Sequence, residues 1–325
     1  MTKRKLHSVL ISCENVTLRI RDRHILPATT WQILNSQNWI VIGSNGSGKT
    51  TLLRAITGLT PIVAGKIHRH HPKAHPTAIG YVSFEQQHRL IAREQSRDAS
   101  RYFSGIFNDH LTAGDLILSA TDDQAAKQET IVEILEALDI NHMMDRPFRS
   151  LSNGECRKVL IGRAVLRSRG ILVLDEPFEG LDTESRQTLV DAIRTLVDQG
   201  IQIILATHRS DYLLPEFSHV LGLKTGRVHC QGPREKILSE HQLETLYDRT
   251  DRHPNPKRLV KSNDRRPVGP EPHPVIQFCD VTVQYGVQMV FKNLSWTVNR
   301  GENWAVTGPN GSGKTTLLQM ITGDH

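Results

Sequence analysis

No stretch of this 325-residue chain is apolar over the roughly 18 residues that a membrane-spanning helix needs, so any membrane role would have to come through a partner. Cysteine is scarce too: four residues, at 13, 156, 230 and 279, with no C-x-x-C pair among them. That spacing argues against a disulfide framework or a zinc site and fits reduced thiols acting as small, semi-buried apolar residues. The opening Met1-Thr2-Lys3-Arg4-Lys5 resembles the start of a secretion signal, but Ser8, Ser12, Cys13 and Glu14 break the apolar run that should follow. The chain reads as cytoplasmic. Its net charge of +6 is partly local, with seven Arg or Lys against Asp251 and Asp264 between Arg249 and Arg266. Four histidines fall within residues 68–75, yet no Cys, Asp or Glu joins them and Pro72 interrupts them, so the segment reads as a solvated basic loop rather than a metal site.

What is present is a phosphate loop. The apolar run Trp39-Ile40-Val41-Ile42 leads into Gly43-Ser44-Asn45-Gly46-Ser47-Gly48-Lys49-Thr50-Thr51, the pattern G-x-x-x-x-G-K-[ST] in its strand-then-helix context. Glycines let the backbone amides close on phosphate oxygens, and the following helix adds the positive end of its dipole. Lys49 is expected to reach the β and γ phosphates of a nucleoside triphosphate, and the Thr50 hydroxyl to take one position on Mg²⁺.

The loop occurs twice. Gly308-Pro309-Asn310-Gly311-Ser312-Gly313-Lys314-Thr315-Thr316 repeats it 265 residues later. The same offset, without gaps, pairs Val16-Thr17 with Val281-Thr282, Trp31 with Trp296, Asn38-Trp39 with Asn303-Trp304, and Ile56-Thr57-Gly58 with Ile321-Thr322-Gly323. Residues 1–247 therefore read as one nucleotide-binding domain and 275–325 as the incomplete opening of a second. The basic, Pro-rich segment 248–274 between them reads as a linker.

Along the first copy, 8–33 alternates like antiparallel strands, and about 86–150 turns polar and helical, with Ile131, Ile134, Leu135 and Leu138 on one helix face. Leu151-Ser152-Asn153-Gly154-Glu155 opens another helix. The run Ile171-Leu172-Val173-Leu174 delivers Asp175-Glu176-Pro177 to a strand end, where acidic side chains are costly unless they meet a cation or a proton. A second apolar run, 201–206, ends in Thr207-His208. Alternating strands and helices predict an α/β fold with a mostly parallel core sheet, an N-terminal antiparallel β subdomain, an inserted α-helical subdomain, and ligands at the strand carboxyl ends.

Together the phosphate loop, Leu-Ser-Asn-Gly-Glu at 151, Asp-Glu-Pro at 175, Gly-Leu-Asp at 180 and Thr-His at 207 resemble the ATP-binding cassette (ABC) ATPases, a P-loop NTPase family. Ser-Phe-Glu-Gln at 83, Asp-Glu-Pro-Phe-Glu-Gly-Leu-Asp at 175 and Ile-Thr-Gly-Asp-His at 321 resemble a narrower group, the tandem-cassette ModF proteins associated with molybdate transport or photorepair. The resemblance implies that ATP and Mg²⁺ are bound, with Thr50, Asp175 and, in the second copy, Thr315 near the metal. It also implies that Glu176 polarises the attacking water, that His208 contacts the γ-phosphate, and that Ser152, Gly154 and Glu155 act in trans on a nucleotide held by an opposing cassette. The family's adenine-stacking aromatic, about 23 positions before the loop, corresponds to Tyr285 in the second copy and Ile20 in the first. The glutamine expected after Val82 falls at Phe84, with Glu85, Gln86 and Gln87 beyond.

These expectations describe an ATPase that does mechanical or regulatory work as a head-to-tail cassette dimer, a homodimer for this chain. It is cytoplasmic or peripheral at the inner face of the membrane. The rivals are the energising subunit of an importer bound to a membrane permease, a ribosome- or nucleic-acid-associated tandem-cassette factor, and a regulator with negligible turnover. The short, proline-broken linker disfavours nucleic acid, and an intact Glu176 and His208 disfavour the silent regulator.

Overall fold

Three apolar runs, each ending in a residue that the sequence marks for chemistry, lie side by side at the centre of the fold. The computed structural model of the protein describes residues 8–70, 74–104, 111–120, 128–168, 170–240, 242–243, 246, 273–285, 288–308 and 312–323. The chain divides into two units, Met1–Arg252 and His253–His325. Except for His273 and Pro274, the linker expected over 248–274 lies outside the described residues.

In the first unit, strands β1 (Val9–Ile20), β2 (Arg23–Leu34) and β4 (Ala64–Arg69) form an antiparallel sheet in the order β2-β1-β4. A six-stranded sheet follows the order β5-β6-β7-β3-β8-β9, with β3 (Trp39–Ile42), β5 (Ile79–Ser83), β6 (Ile171–Asp175), β7 (Gln202–Thr207), β8 (His219–Lys224) and β9 (Arg227–Pro233). All its pairings are parallel except β8 with β9. The central strands are apolar at nearly every position because both faces are covered. Ile40, Ile42, Leu172, Leu174, Ile203 and Leu205 face one core, shared with the helices. Trp39, Val41, Ile171, Val173, Ile204 and Ala206 face the other, shared with the antiparallel sheet.

Helix α1 (Lys49–Ile56) follows the phosphate loop directly, and the Gly58 backbone after it is left-handed at φ 77°. The inserted region holds α2 (Phe84–Ser104), which starts at the residue after β5, then α3 (Ala113–Leu118) and α4 (Gln128–Ala137). Its residues 105–110 and 121–127 lie outside the description. Ile134, Leu135 and Leu138 are buried as expected, and Ile131 packs against the same core. Helix α5 (Asn153–Arg167) carries the Leu-Ser-Asn-Gly-Glu stretch at its start. Helix α6 (Thr183–Asp198) buries Leu189, Ile193 and Leu196, and α7 (Arg234–Ser239) follows β9.

The second unit repeats the first down to its backbone irregularities. Strands β10 (Pro274–Tyr285) and β11 (Gln288–Asn299) pair antiparallel, and helix α8 (Lys314–Thr322) follows its own phosphate loop. Ile276 faces Val298 as Ile11 faces Ile33, and Phe278 faces Trp296 as Cys13 faces Trp31. Left-handed residues recur at the 265-residue offset: Asn15 and Asp280, Ala28 and Asn293, Gly48 and Gly313, Gly58 and Gly323. One element does not recur. Residues 304–307, the counterpart of β3, are not a strand. In the first unit β3 is held on both sides, by β7 and β8, and the described part of the second unit contains no strands equivalent to those two.

Candidate functional site

Because β6, β7 and β3 are adjacent and parallel, their carboxyl ends bring Asp175, Thr207-His208 and Gly43 to one edge of the sheet. The phosphate loop is tightly built there. Gly48 is left-handed at φ 102° immediately before α1, and a Cβ on Gly43 would lie 2.2 Å from the Leu223 carbonyl oxygen, a contact no side chain can make. Lys49 is buried; its Nζ donates to the carbonyls of Gly43 at 2.8 Å and Ser44 at 3.2 Å and lies 3.3 Å from Glu176 Oε1. The ammonium is thus held over the loop with its charge partly answered by Glu176. The buried Ser47 hydroxyl has no well-formed hydrogen bond among the described residues.

Glu176 sits between two partners. Its Oε2 accepts from the His208 amide at 3.3 Å and lies 3.0 Å from His208 Nδ1, while its own backbone is left-handed at φ 49°. Asp175 is 3% exposed, and its Oδ2 accepts from the Tyr81 hydroxyl at 3.0 Å. Burial pushes its carboxyl above the ordinary carboxylate range, and the hydroxyls of Thr50 and Tyr81 pull it partly back. Asp175 Oδ1 is buried without a well-formed hydrogen bond among the described residues. A desolvated carboxylate oxygen with a threonine hydroxyl nearby is a hard-oxygen donor set, which suits Mg²⁺. A cavity of about 300 Å³ opens over these groups, lined by Asn45, Thr50, Asp175, Glu176, Glu179 and His208 together with Phe84 and Glu85.

That cavity bears on the residue expected after Val82. Phe84 and Glu85 face it. Gln86 instead caps the start of α2 through Ser83, and Gln87 turns to Asn153 on α5, donating to its carbonyl at 3.2 Å.

The Ser152 stretch does not line that cavity. The Ser152 hydroxyl accepts from the Glu155 amide and Glu155 Oε2 accepts from the Ser152 amide at 2.7 Å, a reciprocal capping box, with Arg146 donating to Glu155 Oε1 at 2.8 Å. Partial burial raises the Glu155 carboxyl, but the Ser152 amide and the Arg146 guanidinium outweigh it and hold the group below its usual range. The Glu155 side chain is therefore occupied at its own helix start. Gly154 is buried where a Cβ would meet Ser185 Cβ at 2.9 Å, so it serves the packing of α5 on α6, while Ser152 and Asn153 are exposed.

In the second unit Lys314 Nζ donates to the Gly308 carbonyl at 2.8 Å, as Lys49 does to Gly43. Ser312, Gly313, Thr315 and Thr316 are described, whereas Pro309, Asn310 and Gly311 lie outside the described residues, as does the side chain of Tyr285. Ile20, its counterpart, is exposed. The histidine-rich segment is described only in part; His68 and His70 stack at 5.9 Å and His70 bonds to Ser12.

Three residues near the site had not been anticipated. Tyr81 reaches Asp175 from the neighbouring strand, and no motif marks it. Glu179 lies 4.0 Å from His208 Nε2. Arg157 is fully buried beneath the loop that carries Glu176. Its signal was legible: a charged residue in the apolar stripe of α5 that also holds Leu160, Ile161 and Ala164.

The sequence model of the ABC transporter family matches residues 26–179 and again 291–325. Among curated proteins, the ABC transporter ATP-binding protein ModF of Escherichia coli is 31% identical over 95% of this chain and 61% of its own length. The zinc import ATP-binding protein ZnuC of Halorhodospira halophila is 29% identical over 73% of this chain and 83% of its own. A solved ATP-binding cassette of an ABC transporter superposes with a TM-score of 0.60 at 21% identity, covering 74% of this chain and 99% of that one, a likeness of fold. The chain belongs to the ABC transporter family, and its first unit is an ABC-type ATPase cassette. It spans about 60% of the length of the first relatives it matches. No helix among the described residues is long and apolar enough to cross a membrane.

Proposed function

We propose that the first unit hydrolyses Mg-ATP with Lys49 on the β and γ phosphates, Glu176 polarising the attacking water, and His208 holding Glu176 and facing the γ-phosphate. The observation that carries this reading is the placement of Glu176 at a strand end, 3.3 Å from Lys49 and 3.0 Å from His208, beside a buried Asp175 with an orphaned oxygen. Thr50 and Asp175 would hold Mg²⁺, which when bound neutralises charge on the phosphates. In-line attack by water needs positioning and charge stabilisation more than covalent help, and these residues offer both. Ser152 and Asn153 are exposed and do not line the cavity beside Asp175 and Glu176, which suits a contact in trans; two copies paired head to tail would put each Ser152 on the other's nucleotide. Closure and reopening of that pair is the work done, on the cytoplasmic side.

The test is Glu176→Gln. Steady-state hydrolysis falls at least ~100-fold while binding of a fluorescent ATP analogue persists, and the variant accumulates as a dimer in Mg-ATP. Wild-type specific activity rises with protein concentration. Undiminished turnover in the variant, or flat specific activity with a monomeric variant, overturns the reading. The narrower expectation, work associated with molybdate transport or its regulation, rests on the resemblance to ModF alone and is tested by whether molybdate changes the hydrolysis rate. A second reading, the energising subunit of an importer, draws on the similarity to a protein named for zinc import. Co-purification with a membrane protein would favour it.

A further inference from the structure

Arg157 is among the largest side chains in the protein with no exposed surface, and it is charged. Burying a guanidinium costs several kcal/mol unless its donors are met. Here they are met without an ion pair among the described residues. Nε donates to Gln87 Oε1; Nη1 donates to the carbonyls of Glu176 at 3.1 Å and Pro177 at 2.7 Å; Nη2 reaches the Glu179 carbonyl at 3.5 Å. The guanidinium carbon also lies 5.5 Å from the centre of the Phe84 ring. Burial pushes the group down to about 10, which leaves it charged at neutral pH.

Three of its four acceptors belong to one loop, the segment after β6 that carries Glu176 in a left-handed backbone. A non-glycine residue keeps that conformation only where its surroundings over-determine it. The fourth acceptor, Gln87, donates onward to the Asn153 carbonyl, in the first turn of α5 beside Ser152. One cation therefore fastens the Glu176 loop to α5 and, through Gln87, to the exposed helix start that would meet a partner's nucleotide.

We propose that Arg157 is a positioning residue for hydrolysis: its planar fork couples the Ser152-Asn153-Gly154 turn to the backbone of Glu176, so that engagement of the turn by the partner's nucleotide sets the Glu176 carboxylate. The inference rests on the role given to Glu176 above. Lysine could keep the charge, but as a single-point donor it cannot serve three carbonyls and an amide together.

Arg157→Lys in the full chain is the test. Expected are a loss of kcat of at least about tenfold, Mg-ATP binding within about twofold of wild type, and amide exchange across residues 176–181 faster by about tenfold, with residues 160–167 of α5 within about twofold. Unchanged exchange in the loop of a folded variant overturns the coupling, and this readout stands even if Glu176 proves not to be the hydrolytic residue. A fall in kcat matched by weaker binding and faster exchange throughout α5 means a merely structural role and also overturns it. Should Arg157→Lys not fold, Gln87→Leu, which removes the acceptor of Arg157 Nε together with the link to Asn153 but leaves the loop carbonyls on Arg157, is expected to lower kcat with binding kept; full activity in that variant overturns the proposal.

Discussion

Two phosphate loops with nearly the same sequence stand in opposite circumstances. Lys49 and Lys314 each hold the carbonyl of the loop's first glycine at 2.8 Å, and each loop passes into its helix through a left-handed glycine. The first is built into a core: Leu52, Leu53, Ala55 and Ile56 of α1 are buried, and Trp39 is 4% exposed against Trp31 and His219. In the second, α8 buries no residue, and Trp304, which keeps the same edge-on contact with Trp296, is 57% exposed. Local sequence is thus enough to set the lysine contact, the left-handed glycine and the tryptophan pair, but the surroundings that turn a loop into a site come from elsewhere in the chain.

The sharpest way to break that comparison is to remove each lysine in turn. Lys49→Ala is expected to weaken Mg-ATP binding at least ~10-fold, because it takes away a charge-assisted contact desolvated beside Asp175 and Glu176. Lys314→Ala, in a unit whose helix α8 buries none of its residues, should change it about twofold or less. Titration with a fluorescent ATP analogue decides, and equal losses would mean that the second loop is a site in its own right.

The tryptophans come next. Trp39→Ala deletes a buried ring and is expected to cost roughly 3–5 kcal/mol in denaturant unfolding, whereas Trp304→Ala should stay within about 1 kcal/mol. Comparable costs would show that the second unit is packed in solution.

The smallest expected effect concerns Asp175, whose carboxyl is raised by burial. A group that holds its proton more tightly when folded weakens the fold as pH rises from its unfolded pKa through its folded one, and the penalty is complete above that. Asp175→Asn should therefore raise the melting temperature of the nucleotide-free protein by about 2–4 °C at neutral pH, less in acid. A gain that is the same in acid would remove desolvation as the cause.

Much of this was written in the residues. Runs 39–42 and 171–174 were legible as buried strands because they are apolar at every position, and both end where the chemistry begins. The repeat was visible by offset, and the backbone carries it even to Asn15 and Asp280. The order of the sheet was not legible, since β3 lies between strands some 165 and 180 residues away and no local pattern encodes that pairing. Glu155 teaches a different point. The resemblance to the family implies a role in trans beside Ser152, while the spacing Ser-x-x-Glu describes a capping box, and the side chain makes that box in the folded chain. Tyr81 acts across elements, so only the folded arrangement assigns it, whereas Arg157 stands out in the sequence as a charge in an apolar stripe and the fold supplies its partners.

The placement of β3 also bears on how the protein is made. Ile42, at the lip of the phosphate loop, pairs with Thr207 on one side and Gly222 on the other, and Gly43 rests against Leu223. At a synthesis rate of about 5–20 residues per second, the growing chain would carry an unpaired central strand for on the order of 10–40 s before either neighbour exists. During that interval Trp39-Ile40-Val41-Ile42 is an open apolar edge, the kind of segment that chaperones cover and that misassembles when they do not.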